Sequence, residues 1–274
     1  MSTLAAPDFD YIAQLVHRRS AIVLEPGKEY LAESRLEGIA RDHGLASVTE
    51  LVAHMRSGML DLSDAVVDAM TTNETSFFRD AHPFNALRDT VLPELIEARR
   101  VARAITIWCG ATSSGQEPYS VAMLMREHFP ELAGWQVRII ATDISPSMLE
   151  RTRSGRYSQL EVNRGLPAQM LVKYFTRDGM HWVVSEDLRR MVSAQYLNLN
   201  ERWPVMPPFD LVLLRNVLIY FDVPTKQQIL AKVRQSLRPD GLLLLGGAET
   251  TMNLDANFER IPHGRSTWYR PTGS

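Results

Sequence analysis

From Ala104 onward, short apolar runs alternate with amphipathic stretches, and this rhythm limits the fold more than any other feature of the chain. Ala104–Trp108, Val137–Thr142, Phe209–Leu214 and Leu242–Leu245 are each of strand length and largely apolar. Runs of that kind are buried on both faces, which requires helices above and below a parallel sheet. Helical patterns at Pro118–His128 and Thr225–Leu237 fill that role. Such a sheet binds ligands at the carboxyl ends of its strands, where the strand order reverses. Between Tyr157 and Leu199 the rhythm breaks. His181–Val184 and Met191–Tyr196 predict strands of a small antiparallel excursion, with Asp178-Gly179 as a turn.

The first eighty residues carry helical periodicity instead. Phe9, Ile12, Leu15 and Val16 share one stripe of a helix started by Asp8 or Asp10. A second stretch after Gly27 runs through Tyr30, Leu31, Ile39 and Ala40 and stops at Gly44 as a C-terminal cap. Ser47 and Glu50 have capping-box spacing ahead of Val48, Leu51, Val52 and Met55, and Ser63 is placed to cap a fourth helix through Val66, Val67 and Met70. The polar segment Thr71–Arg79 ends doubly aromatic and predicts a linker that also touches something. A helix from about His82 to Arg100 follows, ended or kinked at Pro93. The expected division is a helical domain over 1–70, a linker and connecting helix over 71–103, and an α/β domain over 104–274 with an insertion at about 157–199.

Composition narrows the function classes. With 45% hydrophobic and 23% charged residues, the chain has enough apolar surface to offset the entropy of ordering. A net charge of -2 and the lack of a basic block argue against a nucleic-acid or membrane-surface binder. Cys109 is the sole cysteine and cannot form an internal disulfide. No signal-like segment opens the sequence, and no apolar run reaches about 18 residues. A cytoplasmic protein without membrane insertion is expected, and no ligand cluster of recognisable spacing predicts a metal.

Three features point to chemistry. The loop Cys109–Pro118 joins a strand directly to a helix; its small side chains allow close approach to the backbone, and the helix start presents free N–H groups. Glu117 would repel a phosphate there, so a ligand with a positive group fits better than a dinucleotide, as does the absence of G-x-G-x-x-G. Asp143 closes the second strand, where an acid can accept hydrogen bonds from ribose hydroxyls. The third strand delivers Arg215 and Asn216 to the same edge, with Tyr220 and Phe221 shortly after. Each feature also has a plain structural explanation: a tight turn, a capping neighbour, an ion pair over core aromatics.

Taken together, Trp108–Met123, Ala141–Ser145, Arg215–Phe221 and Thr71–Arg79 (T-T-N-E-T-S-F-F-R) resemble the chemotaxis-receptor methyltransferases of the CheR type. The resemblance implies a Rossmann-like S-adenosylmethionine methyltransferase sheet with an N-terminal all-helical domain and a small inserted antiparallel β-subdomain. It further implies esterification of glutamate side chains on cytoplasmic helices of chemoreceptors, with S-adenosylhomocysteine as product. By position, Asn73, Thr75 and Arg79 resemble residues that close over the cofactor, Glu117 the acid beside its amino-acid portion, and Asp143 the ribose ligand. Asn198 and Leu199 resemble those flanking the adenine, Arg215 and Asn216 those at the methyl-bearing end. Tyr220 and Arg215 are the expected catalytic pair, holding the incoming carboxylate. Ala111 and Gln116 depart from the glycine and glutamate common in relatives, which predicts altered affinity. Some relatives anchor on a receptor pentapeptide through a Gly-rich loop; Phe175–Val192 holds only Gly179, so that tether is not expected. A monomer is expected.

Over Met1–Asp80 there are seven Lys/Arg against thirteen Asp/Glu, so an acidic receptor would need local positive charge, from Arg35 and Arg41 with Arg18 or Arg19. Those arginines are equally readable as a solvated face. Three alternatives remain: a methyltransferase acting on another protein or a small molecule, a non-catalytic cofactor-binding scaffold, and a serine hydrolase. The hydrolase would use Ser113 as nucleophile in a relaxed elbow, followed by Asp210 and His263, but it leaves Asn73, Asp143 and Arg215 without a role.

Overall fold

The computed structural model describes residues 4–272, which divide by contact density into two units. The first comprises residues 4–72 together with Asn198–Arg202 and Tyr220–Thr225; the second comprises the remainder.

The first unit is built on four helices, α1 (Ala6–Ser20), α2 (Glu29–Asp42), α3 (Val48–Arg56) and α4 (Ser63–Met70). Phe9, Ile12, Leu15 and Val16 of α1 are buried as the stripe predicts, but the helix starts earlier than either aspartate, with Pro7 in its first turn. Proline lacks an N–H that the first turn does not use. The buried face of α2 is Ala32, Leu36 and Ala40, whereas Tyr30 is 64% exposed. Ser47 caps α3, its hydroxyl accepting the Glu50 N–H; the Glu50 carboxylate reaches back one residue further than a capping box, to the Ala46 N–H. Ser63 is the first residue of α4 rather than its cap, and Arg35 satisfies the far end by donating to the Met70 and Thr71 carbonyls at 2.8 and 2.9 Å. Arg19 pairs with Asp64. Two of the four arginines considered for a docking face are thus turned to internal contacts.

The second unit centres on a seven-stranded sheet in the order β6-β2-β1-β7-β8-β10-β9. Its strands are β1 (Ala104–Gly110), β2 (Gln136–Asp143), β6 (Val192–Tyr196), β7 (Phe209–Leu214), β8 (Leu237–Leu245), β9 (Phe258–His263) and β10 (Ser266–Pro271). The first five pair in parallel, and the β9–β10 hairpin adds antiparallel to β8. The order reverses between β1 and β7, so the sheet has its switch point there. A separate sheet, β3-β5-β4, joins β3 (Arg156–Ser158), β4 (Phe175–Asp178) and β5 (His181–Val184). This is the expected antiparallel excursion with one correction: Val192–Tyr196 belongs to the edge of the main sheet, where it pairs with β2.

The connecting helix also departs from expectation. It does not end at Pro93; helical turns run from Ala81 to Ala98 with a π-turn at Leu87–Val91, and Leu92 N–H donates to the Leu87 carbonyl. The wider turn just ahead of the proline accommodates a residue that has no N–H to give. The aromatic end of the linker enters the core: Phe77 is fully buried, edge-on to Tyr157 and Phe175 at 5.1 and 5.7 Å between ring centroids.

Candidate functional site

Strand β1 runs into the helix Gln116–His128 through five residues, of which Ala111, Ser113 and Gly115 have positive φ (52°, 51° and 92°). Gly115 has no alternative, since a Cβ there would lie 2.8 Å from Thr152 Oγ1. At Ala111 the backbone is the kind glycine tolerates best, which explains why alanine reads as a departure. Gln116 is buried and accepts from the Ser114 hydroxyl at 2.9 Å. Tyr157 braces the loop directly by donating to the Ser114 carbonyl, and Tyr119 donates to the carbonyl of Thr152, whose hydroxyl in turn donates to the Ser113 carbonyl; both phenol bonds are 2.7 Å. Burial pushes both phenol pKa values up, so both remain donors. Burial likewise raises the Cys109 thiol, which holds it neutral under the loop.

Asp143 lies at the end of β2, 6% exposed, one oxygen receiving the Ser113 N–H at 2.7 Å and the other the Ser145 N–H at 2.9 Å. It thereby ties the loop after β1 to the start of the next helix. A carboxylate has about four acceptor positions, so an acid at this strand end has the chemistry to receive vicinal hydroxyls.

Beyond β7, Arg215 is buried, its side chain 2% exposed. One terminal nitrogen donates to Glu117 at 2.7 Å; the other donates to the Arg79 carbonyl and to Asp80, both at 2.9 Å. The guanidinium is therefore an internal brace between Glu117 and the linker, not a free group facing an incoming carboxylate. Its Nε and the Thr112 hydroxyl are buried without a partner, as expected of polar groups at a ligand site. Asn216 follows with φ 58°. The linker is held by Ser113, whose hydroxyl donates to the Asn73 carbonyl, and by the Phe78 N–H, which donates to the Ser120 hydroxyl. Asn73, Thr75 and Arg79 are all half-buried there, and Arg79 donates to the Glu74 carbonyl.

The structure thus gathers Asn73, Arg79, Glu117, Asp143, Arg215 and Asn216 into one hydrogen-bonded edge of the second unit. Thr75 lies in the same linker. Asn198, Leu199 and Tyr220 belong to the first unit, where Asn198 donates to the Arg19 carbonyl and to Glu201, and the Tyr220 carbonyl accepts from Val23. Glu249, which no motif singled out, binds the backbone beside Asn216; its signal in the sequence is only a glycine pair followed by an acid. The hydrolase alternative fails on geometry. Asp210 is at the opposite end of β7 from the loop, bound to Arg99 and Arg238. His263 is on β9, four strands from β1, on the order of 19 Å away. The Ser113 hydroxyl donates to a carbonyl.

A parallel sheet whose switch point carries a small-residue loop, a helix start and an acid at the next strand end defines a nucleoside-binding α/β enzyme. Comparison with known proteins sharpens this: residues 73–266 match the CheR methyltransferase SAM-binding domain and residues 7–71 the CheR methyltransferase all-alpha domain. The chain belongs to the CheR methyltransferase family and is an S-adenosylmethionine-dependent methyltransferase of chemotaxis. It is 39% identical to chemotaxis protein methyltransferase 1 of Pseudomonas aeruginosa, covering 97% of this chain and 98% of that one. The chemotaxis protein methyltransferase of Vibrio parahaemolyticus is also 39% identical, over 95% and 96%. The Escherichia coli chemotaxis protein methyltransferase is 36% identical, over 93% and 88%. Among the described residues no helix is long and apolar enough to cross a membrane.

Proposed function

We propose that this chain esterifies glutamate side chains on the cytoplasmic helices of chemoreceptors. What carries the reading is similarity along nearly the full length to chemotaxis methyltransferases, on a chain that keeps the acid-lined strand edge. S-adenosylmethionine supplies a sulfonium methyl that a glutamate carboxylate takes up, leaving a methyl ester and the thioether S-adenosylhomocysteine. The carboxylate has a reference pKa of about 4.3 and is ionised near neutral pH, so no general base is required. What remains for the protein is placement, which in well-oriented systems reaches effective molarities of about 10⁵–10⁸ M.

In this reading Asp143 receives the ribose hydroxyls on its carboxylate oxygens. Glu117 faces the positively charged amino-acid portion, and Arg215 keeps Glu117 aimed while balancing its charge. Asn73, Thr75 and Arg79 close over the donor, Asn198 and Leu199 flank the adenine, and Asn216 sits at the methyl-bearing end. Tyr220 meets the acceptor carboxylate. Arg215 contributes to catalysis by bracing Glu117 and the linker. The working division is residues 1–70, 71–103 and 104–274, in a cytoplasmic monomer. The β4–β5 turn, Gly179-Met180, is too short for a pentapeptide-anchoring loop, so receptors are engaged without that tether.

Transfer of labelled methyl from S-adenosylmethionine to receptor-containing membranes tests the proposal. Base-labile label on the receptor is the expected result. Base-stable label, or label on another molecule only, would replace glutamate with a different acceptor.

A further inference from the structure

Strands β7 and β8 leave the sheet side by side, with Leu214 opposite Leu245, and just beyond them one side chain gathers the backbone of both. Glu249 Oε2 accepts the Asn216 N–H and the Gly246 N–H, each at 2.7 Å. Its Oε1 accepts the Ile219 N–H at 3.3 Å. The Glu249 N–H in turn donates to the Gly246 carbonyl at 2.9 Å, closing the turn on itself. Bonds from N–H groups to a carboxylate are roughly twice as strong as those between neutral groups.

Two further observations show how tightly this knot is drawn. Asn216 is at φ 58°, in the left-handed region that asparagine tolerates, and its N–H is bound there by the Glu249 carboxylate. Gly246 cannot carry a side chain: a Cβ would lie 2.7 Å from Glu249 Oε2 and 2.8 Å from both the Asn216 backbone nitrogen and its Nδ2. The amide of Asn216 therefore lies directly over Gly246, and the carboxylate decides where both sit.

We propose that Glu249 is a positioning residue for methyl transfer: by binding the exits of β7 and β8 together it fixes the backbone of Asn216 and so the aim of the Asn216 amide at the methyl donor. The inference rests on the placement of Asn216 proposed above. Glu249 itself need touch neither donor nor acceptor. A glutamine at this position would keep one oxygen for Asn216 and Gly246 but turn an NH₂ toward the Ile219 N–H, donor against donor. An aspartate would keep the charge on a side chain one methylene too short.

The test is calorimetric titration of the full-length chain with S-adenosylhomocysteine, with methyl transfer to receptor-containing membranes as second readout and circular dichroism to establish folding. Glu249→Ala and Glu249→Asp are expected to lose affinity about tenfold, as for one lost buried hydrogen bond. A misplacement of about 1 Å costs up to roughly 10²-fold in rate, so kcat is expected to fall by at least tenfold while KM for the receptor changes less. Glu249→Gln recovers most of both. Wild-type affinity and kcat in folded Glu249→Asp would overturn the proposal. If the wild-type chain binds S-adenosylhomocysteine but esterifies no receptor, the proposed acceptor fails while the affinity series still decides the role of Glu249.

Discussion

The two ends of strand β7 hold the same chemistry and put it to different uses. At its start, Asp210 is 1% exposed and accepts from Arg99 at 2.6 Å, from the Thr106 N–H at 2.7 Å and pairs with Arg238 at 3.0 Å. Arg99 also grips Asp240 with two nitrogens, at 2.8 and 2.6 Å. Just past its end, Arg215 links Glu117, Asp80 and the Arg79 carbonyl. Both are arginine–carboxylate nodes on one buried strand. The lower node closes Asp210 on Arg99, Arg238 and the Thr106 N–H, whereas the upper one ties its arginine to the linker and to the start of the helix after β1. Backbone strain divides the same way: Phe78, Asp80, Ala111, Ser113 and Asn216 all have positive φ around the upper edge, against Arg103 near the lower. Charge burial alone does not mark a site. Burial beside a run of left-handed backbone at the switch point separates the two ends.

Substitutions at the two ends should separate along that line. Asp143→Ala is expected to weaken S-adenosylhomocysteine binding by at least about 100-fold, since two hydroxyl bonds to a carboxylate are lost at about 1.5–3 kcal/mol each; calorimetry measures it. An affinity within threefold of wild type would make the upper edge as purely structural as the lower. Asp210→Ala should do the reverse. Removing one partner of a buried ion pair costs about 3–5 kcal/mol of stability, read by urea unfolding, while kcat per folded molecule stays within about twofold. A larger loss of kcat than of stability would erase the distinction.

Ala111→Gly sharpens the role of strain. Relief of the left-handed alanine, about 1–2 kcal/mol, is partly offset by the roughly 0.5–1 kcal/mol entropic cost of glycine. A gain of between about 0 and 1.5 kcal/mol in unfolding free energy is expected, and a clear loss would mean that φ 52° carries no strain. The smallest effect belongs to Asp240. The hydrogen bonds from Arg99 hold its carboxyl below the usual aspartate range. A depressed folded-state pKa adds stability that is present above the unfolded value, near pH 4, and is lost as pH falls through the folded value. Wild type should therefore lose stability faster than Asp240→Asn on acidification below about pH 4, and parallel acid unfolding curves would remove the contribution.

How much of this was legible in the sequence follows from which interactions are local. The strands at Phe209–Leu214 and His181–Val184 were readable to the residue because burial leaves a mostly apolar run, broken there by Asp210 alone, or a hairpin flanked by a turn. The loop after β1 and the acid at the end of β2 were readable because chain direction alone delivers them to one edge. The β9–β10 hairpin was not read: Phe258–His263 carries a proline and two charges, as an edge strand can. Nor was the pairing of Val192–Tyr196 with β2, which depends on register between distant segments. The sequence places Arg215 at the carboxyl end of β7, but its ion pairs with Glu117 and Asp80 are not legible there, because partners 98 and 135 positions apart leave no spacing signal. Glu249 escaped for the same reason: its partners are backbone groups, which every residue has.

A crystal structure of the chain with S-adenosylhomocysteine addresses the assignment of the upper edge most directly. The nucleoside should lie across the loop at 111–115 with both ribose hydroxyls within about 3.2 Å of Asp143 oxygens. A nucleoside bound anywhere else, with no ribose hydroxyl on Asp143, would contradict it.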